Sequence, residues 1–375
     1  MPARGPTVLI LVLALAFVSV MLLRTGVVAH RWRDSEPAAV AGASDSSGSL
    51  LPRLDSTLVW VGGPPRAIND SAGTLLVLWT LSEPAALSAV VESQQWQDLY
   101  AEKGLRVLGV YVPRFSFDAD STVVAREMKR LGVRFPVALD TGLTLLNHLA
   151  PGSRLPQWVV AGPDGLVRAS ESDPRAAERA VERAVVAIHP ELANPGVADS
   201  APPPAPAANP IHAPVYLGAS AERHGPLADV APGAPRLFHA AFQREIDGAP
   251  WVPYPVGTWS LEADGLRATR GGAQNYLALR YDGGPLAVVA SPAAGRTTRL
   301  WVLRDDAWLA ADALGSDARL DGRGASYVDV GSPRLYALCR DDGHAHTIKL
   351  SPDDPGLVLH ELVFEPVPLP ERPRP

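Results

Sequence analysis

The chain has 375 residues, enough for two ordinary domains, and 47% of them are hydrophobic against 20% charged, so composition permits packed cores. Its net charge of -6 argues against nucleic-acid binding driven by phosphate neutralisation. One cysteine, Cys339, excludes an intrachain disulfide framework, a metal cluster of several thiolates and a dithiol cycle within this chain.

Residues 1–30 read as a membrane anchor or signal segment. Pro6 to Leu23 is apolar and carries no charge, with Arg4 and Arg24 outside it. At about 18 residues it is at the short end for a spanning helix and above the usual signal-peptide core. An uncleaved single hydrophobic helix is the first reading. A signal cleaved after Ala29 and a buried helix are the alternatives. Arg24, Arg31 and Arg33 follow the span, and the positive-inside rule alone would leave the body cytoplasmic. Residues 31–56, rich in Ser, Ala, Gly and Asp, read as a flexible tether.

Residues 57–190 alternate strands and helices. Leu58–Val61 and Arg66–Ile68 predict short strands around the turn cluster Gly62-Gly63-Pro64-Pro65. Leu75 to Trp79 is a continuous apolar run suited to a strand covered on both faces. Ser82 is placed to cap the next helix, with Pro84 in its first turn, Leu87, Val90, Val91 and Leu99 on one face and Gly104 as its end. Val107–Val112 predicts the next strand. Asp118 or Asp120 then caps a helix carrying Val123, Val124, Met128 and Leu131 and stopped by Gly132. Two strands flank the turn Gly162-Pro163-Asp164-Gly165, and Asp173-Pro174 opens a last helix with Ala177, Val181, Val185 and Ile188 on one face. The order β-α-β-α-β-β-α calls for a sheet with helices on both faces.

Residues 191–214 contain Ala201-Pro202-Pro203-Pro204-Ala205-Pro206 and read as a polyproline spacer between domains. From 215 to 366 the pattern changes to short strands and Gly/Asp turns without a helix, which predicts an all-β sandwich. Residues 367–375 read as a disordered tail.

Two stretches carry a family resemblance: Gly104-Leu105-Arg106-Val107-Leu108-Gly109-Val110-Tyr111-Val112-Pro113-Arg114-Phe115-Ser116-Phe117 and Leu131-Gly132-Val133-Arg134-Phe135-Pro136-Val137-Ala138-Leu139-Asp140. Tyr216-Leu217-Gly218, the strand around Leu277 and Arg334-Leu335-Tyr336 extend it into the second domain. The arrangement resembles the periplasmic half of DipZ-type cytochrome c biogenesis proteins, a TlpA-like thioredoxin domain followed by a carbohydrate-binding-like β-sandwich. The fold class expected is therefore an α/β thioredoxin-like domain plus a C-terminal all-β sandwich. The family's Trp-Thr-x-x-Cys-x-x-Cys aligns with Trp79-Thr80-Leu81-Ser82-Glu83-Pro84-Ala85-Ala86, so both thiols are replaced. Its His-Thr-Pro-Glu aligns with Tyr111-Val112-Pro113-Arg114, where an acid has become a base. The resemblance implies a cis bond at Leu155-Pro156 and a body outside the cytoplasm.

Ser82, Glu83, Pro84, Ala85, Ala86 and Pro156 thus mark the former redox site. Glu83 is read as a helix-start residue filling a vacated position, with an acid/base role as the alternative. Tyr111 and Arg114 are candidates to line a remodelled groove for an anion or peptide. Cys339 is expected to share a buried face with Leu335 and Ala337. With His344 and His346 it makes a weak metal-like cluster, and no metal is expected. Trp251, Tyr254, Trp259, Tyr276, Trp301 and Trp308 supply core or sugar-stacking aromatics, Trp308 being the best exposed candidate. No catalytic residue and no cofactor are expected, and no Ser-His-Asp constellation is visible in sequence. The expected role is that of a redox-inactive envelope factor whose partner is a protein, peptide or glycan, held to the membrane by its N-terminal helix. A non-thiol enzyme built on Glu83, Tyr111 and Arg114, and an adaptor for a dithiol partner, are the alternatives.

Overall fold

The computed structural model describes residues 48–55, 57–65, 73–192, 212–220, 225–239 and 243–367. The predicted N-terminal span, the strand at 66–68, most of the tether and spacer, and the tail beyond 367 lie outside the described residues. Among the described residues no helix is long and apolar enough to cross a membrane.

The α/β part is a six-stranded sheet. Its strands are β1 (Val59–Val61), β2 (Gly73–Trp79), β3 (Leu105–Tyr111), β4 (Val137–Leu139), β5 (Gln157–Ala161) and β6 (Val167–Glu171), in the order β1-β4-β3-β2-β5-β6. β2, β3 and β4 are parallel, while β1, β5 and β6 run antiparallel to their neighbours. The helices are α1 (Pro84–Tyr100), α2 (Ser121–Leu131), α3 (Thr144–Leu149) and α4 (Pro174–Val186). This is a thioredoxin-like fold. The two-residue period of β2 explains the layering. Leu75, Val77 and Trp79 share a buried cluster with residues of α1, α2 and α4, and Leu76 and Leu78 share another with residues of α3.

Most local signals behave as expected. Gly104 and Gly132 end their helical segments with left-handed φ of 84° and 73°. Asp120 caps α2 and Asp173 caps α4, each side chain accepting a backbone N–H. Leu99 departs from the predicted helix face and is 58% exposed, and Ile188 falls beyond the end of α4. β4 and α3 are additions to the predicted order.

The β part has thirteen strands joined by hydrogen bonds, ten of them along one path and β7, β8 and β14 pairing beside it. They are β7 (Val215–Tyr216), β8 (Pro235–Phe238), β9 (Tyr254–Leu261), β10 (Leu266–Ala268), β11 (Tyr276–Tyr281), β12 (Leu286–Ser291), β13 (Thr298–Arg304), β14 (Ala307–Trp308), β15 (Arg319–Leu320), β16 (Ser326–Val330), β17 (Arg334–Cys339), β18 (His346–Pro352) and β19 (Val358–Val363). A short helix, α5 (Gln243–Gly248), interrupts a region expected to hold none. β9 joins the two halves: Tyr254 to Val256 pairs with β11, and the residues from Gly257 onward pair with β8 and β10. Gly257 sits at that change of partner with φ 88°, where a Cβ would lie 2.8 Å from the Gln274 carbonyl oxygen. The halves share a core: Leu277, Leu279, Leu300 and Val302 cluster with Val288, Tyr336, Leu338 and Leu359.

The α/β and β parts also share a core. Ala287, Val289, Leu335 and Val363 belong to the same buried cluster as Trp79, Leu81 and Phe115. The second face of β12 and β19 therefore meets the thioredoxin-like sheet and its loops rather than water.

Candidate functional site

β2 ends at Trp79 and the chain turns through Thr80, Leu81 and Ser82 into α1. Glu83, not Ser82, is the N-cap residue, and its side chain makes no cap hydrogen bond. Pro84 takes the first helical position, where a missing N–H costs nothing. Ser82, Pro84 and Ala86 are buried, Ala85 is exposed and Glu83 is half-buried. Leu155–Pro156 is cis, and Pro156 is buried.

Arg114 reaches this loop from the end of β3. Asp118 fixes the segment that carries it, accepting the N–H groups of Arg114 at 3.2 Å and Phe115 at 3.1 Å. Burial pushes the Asp118 carboxyl up to about 7 against those hydrogen bonds. The Arg114 guanidinium donates from Nη1 to Ser82 Oγ at 3.1 Å and Glu83 Oε1 at 3.0 Å. Its Nη2 donates to Glu361 Oε1 at 3.3 Å, and the guanidinium lies 5.0 Å from the Tyr216 ring centroid. Glu361 and Tyr216 belong to β19 and β7, which pair there. The Arg114 side chain is 9% exposed and that of Glu361 0%. Glu361 Oε2 accepts no hydrogen bond among the described residues. Burial raises the Glu361 carboxyl to about 7, with Arg114 opposing and Glu83 and Glu365 adding to the rise. Burial also raises Glu83, opposed by Arg114 and Arg154.

Tyr111, a candidate groove residue by sequence, belongs to the core. It is 0% exposed and meets Trp79 edge-on at 4.9 Å. Burial and the neighbouring Asp118 hold its hydroxyl well above its ordinary pKa. Of the predicted site residues, the fold brings Ser82, Glu83 and Arg114 together, and it adds Glu361 and Tyr216 from the β part.

A second joint lies beside the first. Ser116 donates from its N–H at 2.8 Å and its hydroxyl at 2.6 Å to Asp264 Oδ2. His360 stands 2.8 Å from Ser291 Oγ through Nε2 and 2.7 Å from the Asp264 carbonyl oxygen through Nδ1. A carbonyl only accepts, so Nδ1 carries the proton and Nε2 accepts from Ser291. Asp264 enters this row through its backbone carbonyl, so Ser291, His360 and Asp264 do not form a Ser-His-carboxylate constellation. Ser291 and His360 are buried, the Phe115 and Phe117 rings lie 5.2 and 4.7 Å from the imidazole, and the Asp264 carboxylate bonds Ser116. Burial lowers the His360 pKa. The row works as a joint between the two parts.

Cys339 is 2% exposed, and burial pushes its thiol up, which keeps it protonated and unreactive. It does not share a face with Leu335. A register shift opposite Leu286 and Ala287 turns it into the β core beside Tyr281, 3.5 Å away, while Leu335 faces the α/β part. His344 is exposed, and His346 lies between Asp305 at 2.6 Å and Asp342 at 2.8 Å. Among the described residues no group of three or more His, Cys, Asp or Glu side chains is placed to hold a metal.

The predicted aromatics divide. Trp259 is buried, with its indole N–H donating to the Val256 carbonyl oxygen. Trp301 and Tyr327 face each other across β13 and β16, and the Arg299 guanidinium lies 4.0 Å from the Tyr327 ring centroid. Trp308, 45% exposed, extends this strip at 5.8 Å from Trp301.

No family model matches the chain. It is similar to the protein DipZ of Mycobacterium bovis and of Mycobacterium tuberculosis, 26% identical over 117 residues, which is 28% of this chain and 17% of each relative. The chain thus matches about a sixth of the length of those proteins. Among solved structures it is similar to a thioredoxin-like protein in its oxidised form, at 19% identity and a TM-score of 0.34, covering 38% of this chain and 98% of that one. It is also similar to the thioredoxin domain of a thiol-disulfide oxidoreductase from Bacteroides vulgatus, at 15% identity and a TM-score of 0.30, covering 37% of this chain and 97% of that one.

Proposed function

We propose that this chain is a thiol-independent, thioredoxin-like envelope factor, anchored by residues 6–23 with its body outside the cytoplasm. Its former redox face is a docking surface for its own β part. Its outward binding surface is the aromatic strip of Arg299, Trp301, Trp308 and Tyr327, suited to stacking an envelope glycan. One observation carries the reading: the guanidinium of Arg114 ties Ser82 and Glu83 of the redox loop to buried Glu361 of β19. A peptide groove at this loop is disfavoured by that contact. An enzyme built on Glu83, Tyr111 and Arg114 is disfavoured by the burial of Tyr111 in the core.

Insulin reduction tests the redox claim. The natural chain is expected to stay at the uncatalysed rate, and activity abolished by Cys339→Ser would overturn the claim. A Glu83→Cys/Ala86→Cys variant restores the pair of thiols. It is expected to gain little while Arg114 and Glu361 hold the β part over the loop, and a full gain would mean that the face is open.

Binding to cell-wall polysaccharide tests the second claim. Trp308→Ala is expected to weaken it about tenfold, an effect of about 1.4 kcal/mol. Unchanged binding would remove the strip from consideration.

A further inference from the structure

Two carboxylates from opposite parts of the molecule converge on one guanidinium. Glu83 approaches from the head of α1 and Glu361 from β19, and each places one oxygen on Arg114, at 3.0 and 3.3 Å. With both carboxylates ionised, the trio carries a net negative charge where one partner is 0% exposed and keeps an oxygen without a hydrogen bond. The surroundings do not cancel that charge. Glu365 adds to it, Arg154 acts on Glu83, Tyr216 and Ser82 are neutral, and Asp118 lies beyond the Arg114 backbone. A proton on Glu361 removes the excess and leaves Arg114 paired with Glu83.

We propose that Glu83, Arg114 and Glu361 form a proton-sensitive clasp, which holds the β part over the former redox loop when Glu361 is protonated and loosens when it ionises.

The sign follows from linkage. Burial raises the docked Glu361 carboxyl from an ordinary 4.5 to about 7. Its contribution to docking is full below the ordinary value and is lost as pH rises through about 7. Glu83 and Glu365, also raised by burial, act in the same direction. His360 opposes them: its pKa is lowered by burial, so docking loses its contribution as pH falls below 6.5. The natural chain alone therefore mixes two opposite slopes. A ratio of two variants that share His360 separates them.

The experiment measures hydrogen-exchange protection of the amides in 81–86 and 358–363 in the full chain. Rates are corrected for intrinsic exchange, and the natural chain is compared with Glu361→Gln. The carboxamide imitates the protonated acid, and the cost of its extra donor does not change with pH. The protection ratio of variant to natural chain is expected to rise roughly thirtyfold between about pH 5.5 and about pH 8. A ratio that is flat with pH overturns the clasp. Should Glu361→Gln fail to fold, Arg114→Met decides. It is expected to lose protection in both segments at about pH 8 and to regain part of it at about pH 5.5. Protection equal to that of the natural chain at both values overturns the proposal.

Discussion

Replacing Arg114 with methionine is expected to lower the stability of the chain by about 3–5 kcal/mol at about pH 8, where Glu361 is ionised, the range for breaking a buried ion pair from one side, and by less near neutral pH. The magnitude follows from what the change leaves behind. Glu361 has no exposed surface, and Arg114 is the cation that opposes its raised pKa, so methionine takes away the ionic partner it has among the described residues. Ser82 Oγ loses its donor in the same step. The defect should shrink in acid, because carboxyls with raised pKa values take up protons as pH falls and no longer need a cation. Arg114→Lys should recover only part of the loss, since one ammonium replaces a planar fork whose two nitrogens face opposite ways. Denaturant midpoints across pH measure all three effects. A loss below about 1 kcal/mol, the range of solvent-exposed pairs, would place the clasp in water and remove its role.

The same geometry gives meaning to two replacements that look unrelated in sequence. The resemblance puts a thiol where Glu83 stands and an acid where Arg114 stands. An acid at both positions would set two carboxylates against Glu361 with no cation between them. The base at 114 supplies that cation and pairs with both carboxylates.

Local structure was largely legible because its signals are local. The apolar run Leu75–Trp79, the glycines at 104 and 132 and the caps Asp120 and Asp173 each act within a few residues of themselves. β4 was too short to read, at three residues. α3 has Leu143 at its N-cap with φ 56°, and the side chain that accepts the N–H groups of Thr144 and Leu146 comes from Asp140, outside the usual cap position. The interface was harder because it joins residues far apart, Arg114 and Glu361 being 247 positions apart. A signal was nevertheless present. β12 reads Leu-Ala-Val-Val-Ala-Ser and is buried throughout, without the polar alternation of a sandwich strand facing water. β19 sets His360 and Glu361 inside an apolar run, and polar groups so placed require partners. Those two strands pointed to a covered outer face, although not to what covers it.

A substitution on that face tests whether the two parts are one structure. Leu335 is 0% exposed, lies opposite Val289 on β12 and shares the cluster of Trp79 and Phe115. Leu335→Ala is expected to cost about 2–5 kcal/mol, and Leu335→Asp more, because it adds an unpaired buried charge to the lost contacts. If the β part stood free of the α/β part, the same position would face water. Both changes would then fall within about 0.5 kcal/mol of the natural chain. Leu320→Asp, at a position 37% exposed, provides the control and should be close to neutral. The shape of the unfolding curve adds a second reading. Because the shared cluster couples the parts, Leu335→Ala should shift one cooperative transition reported alike by far-UV and tryptophan signals. Two transitions in the natural chain, with only one moved by the substitution, would mean that the parts unfold independently and that the redox loop is accessible for part of the time. In that case thiols restored at 83 and 86 would regain reductase activity without any change to Arg114 or Glu361.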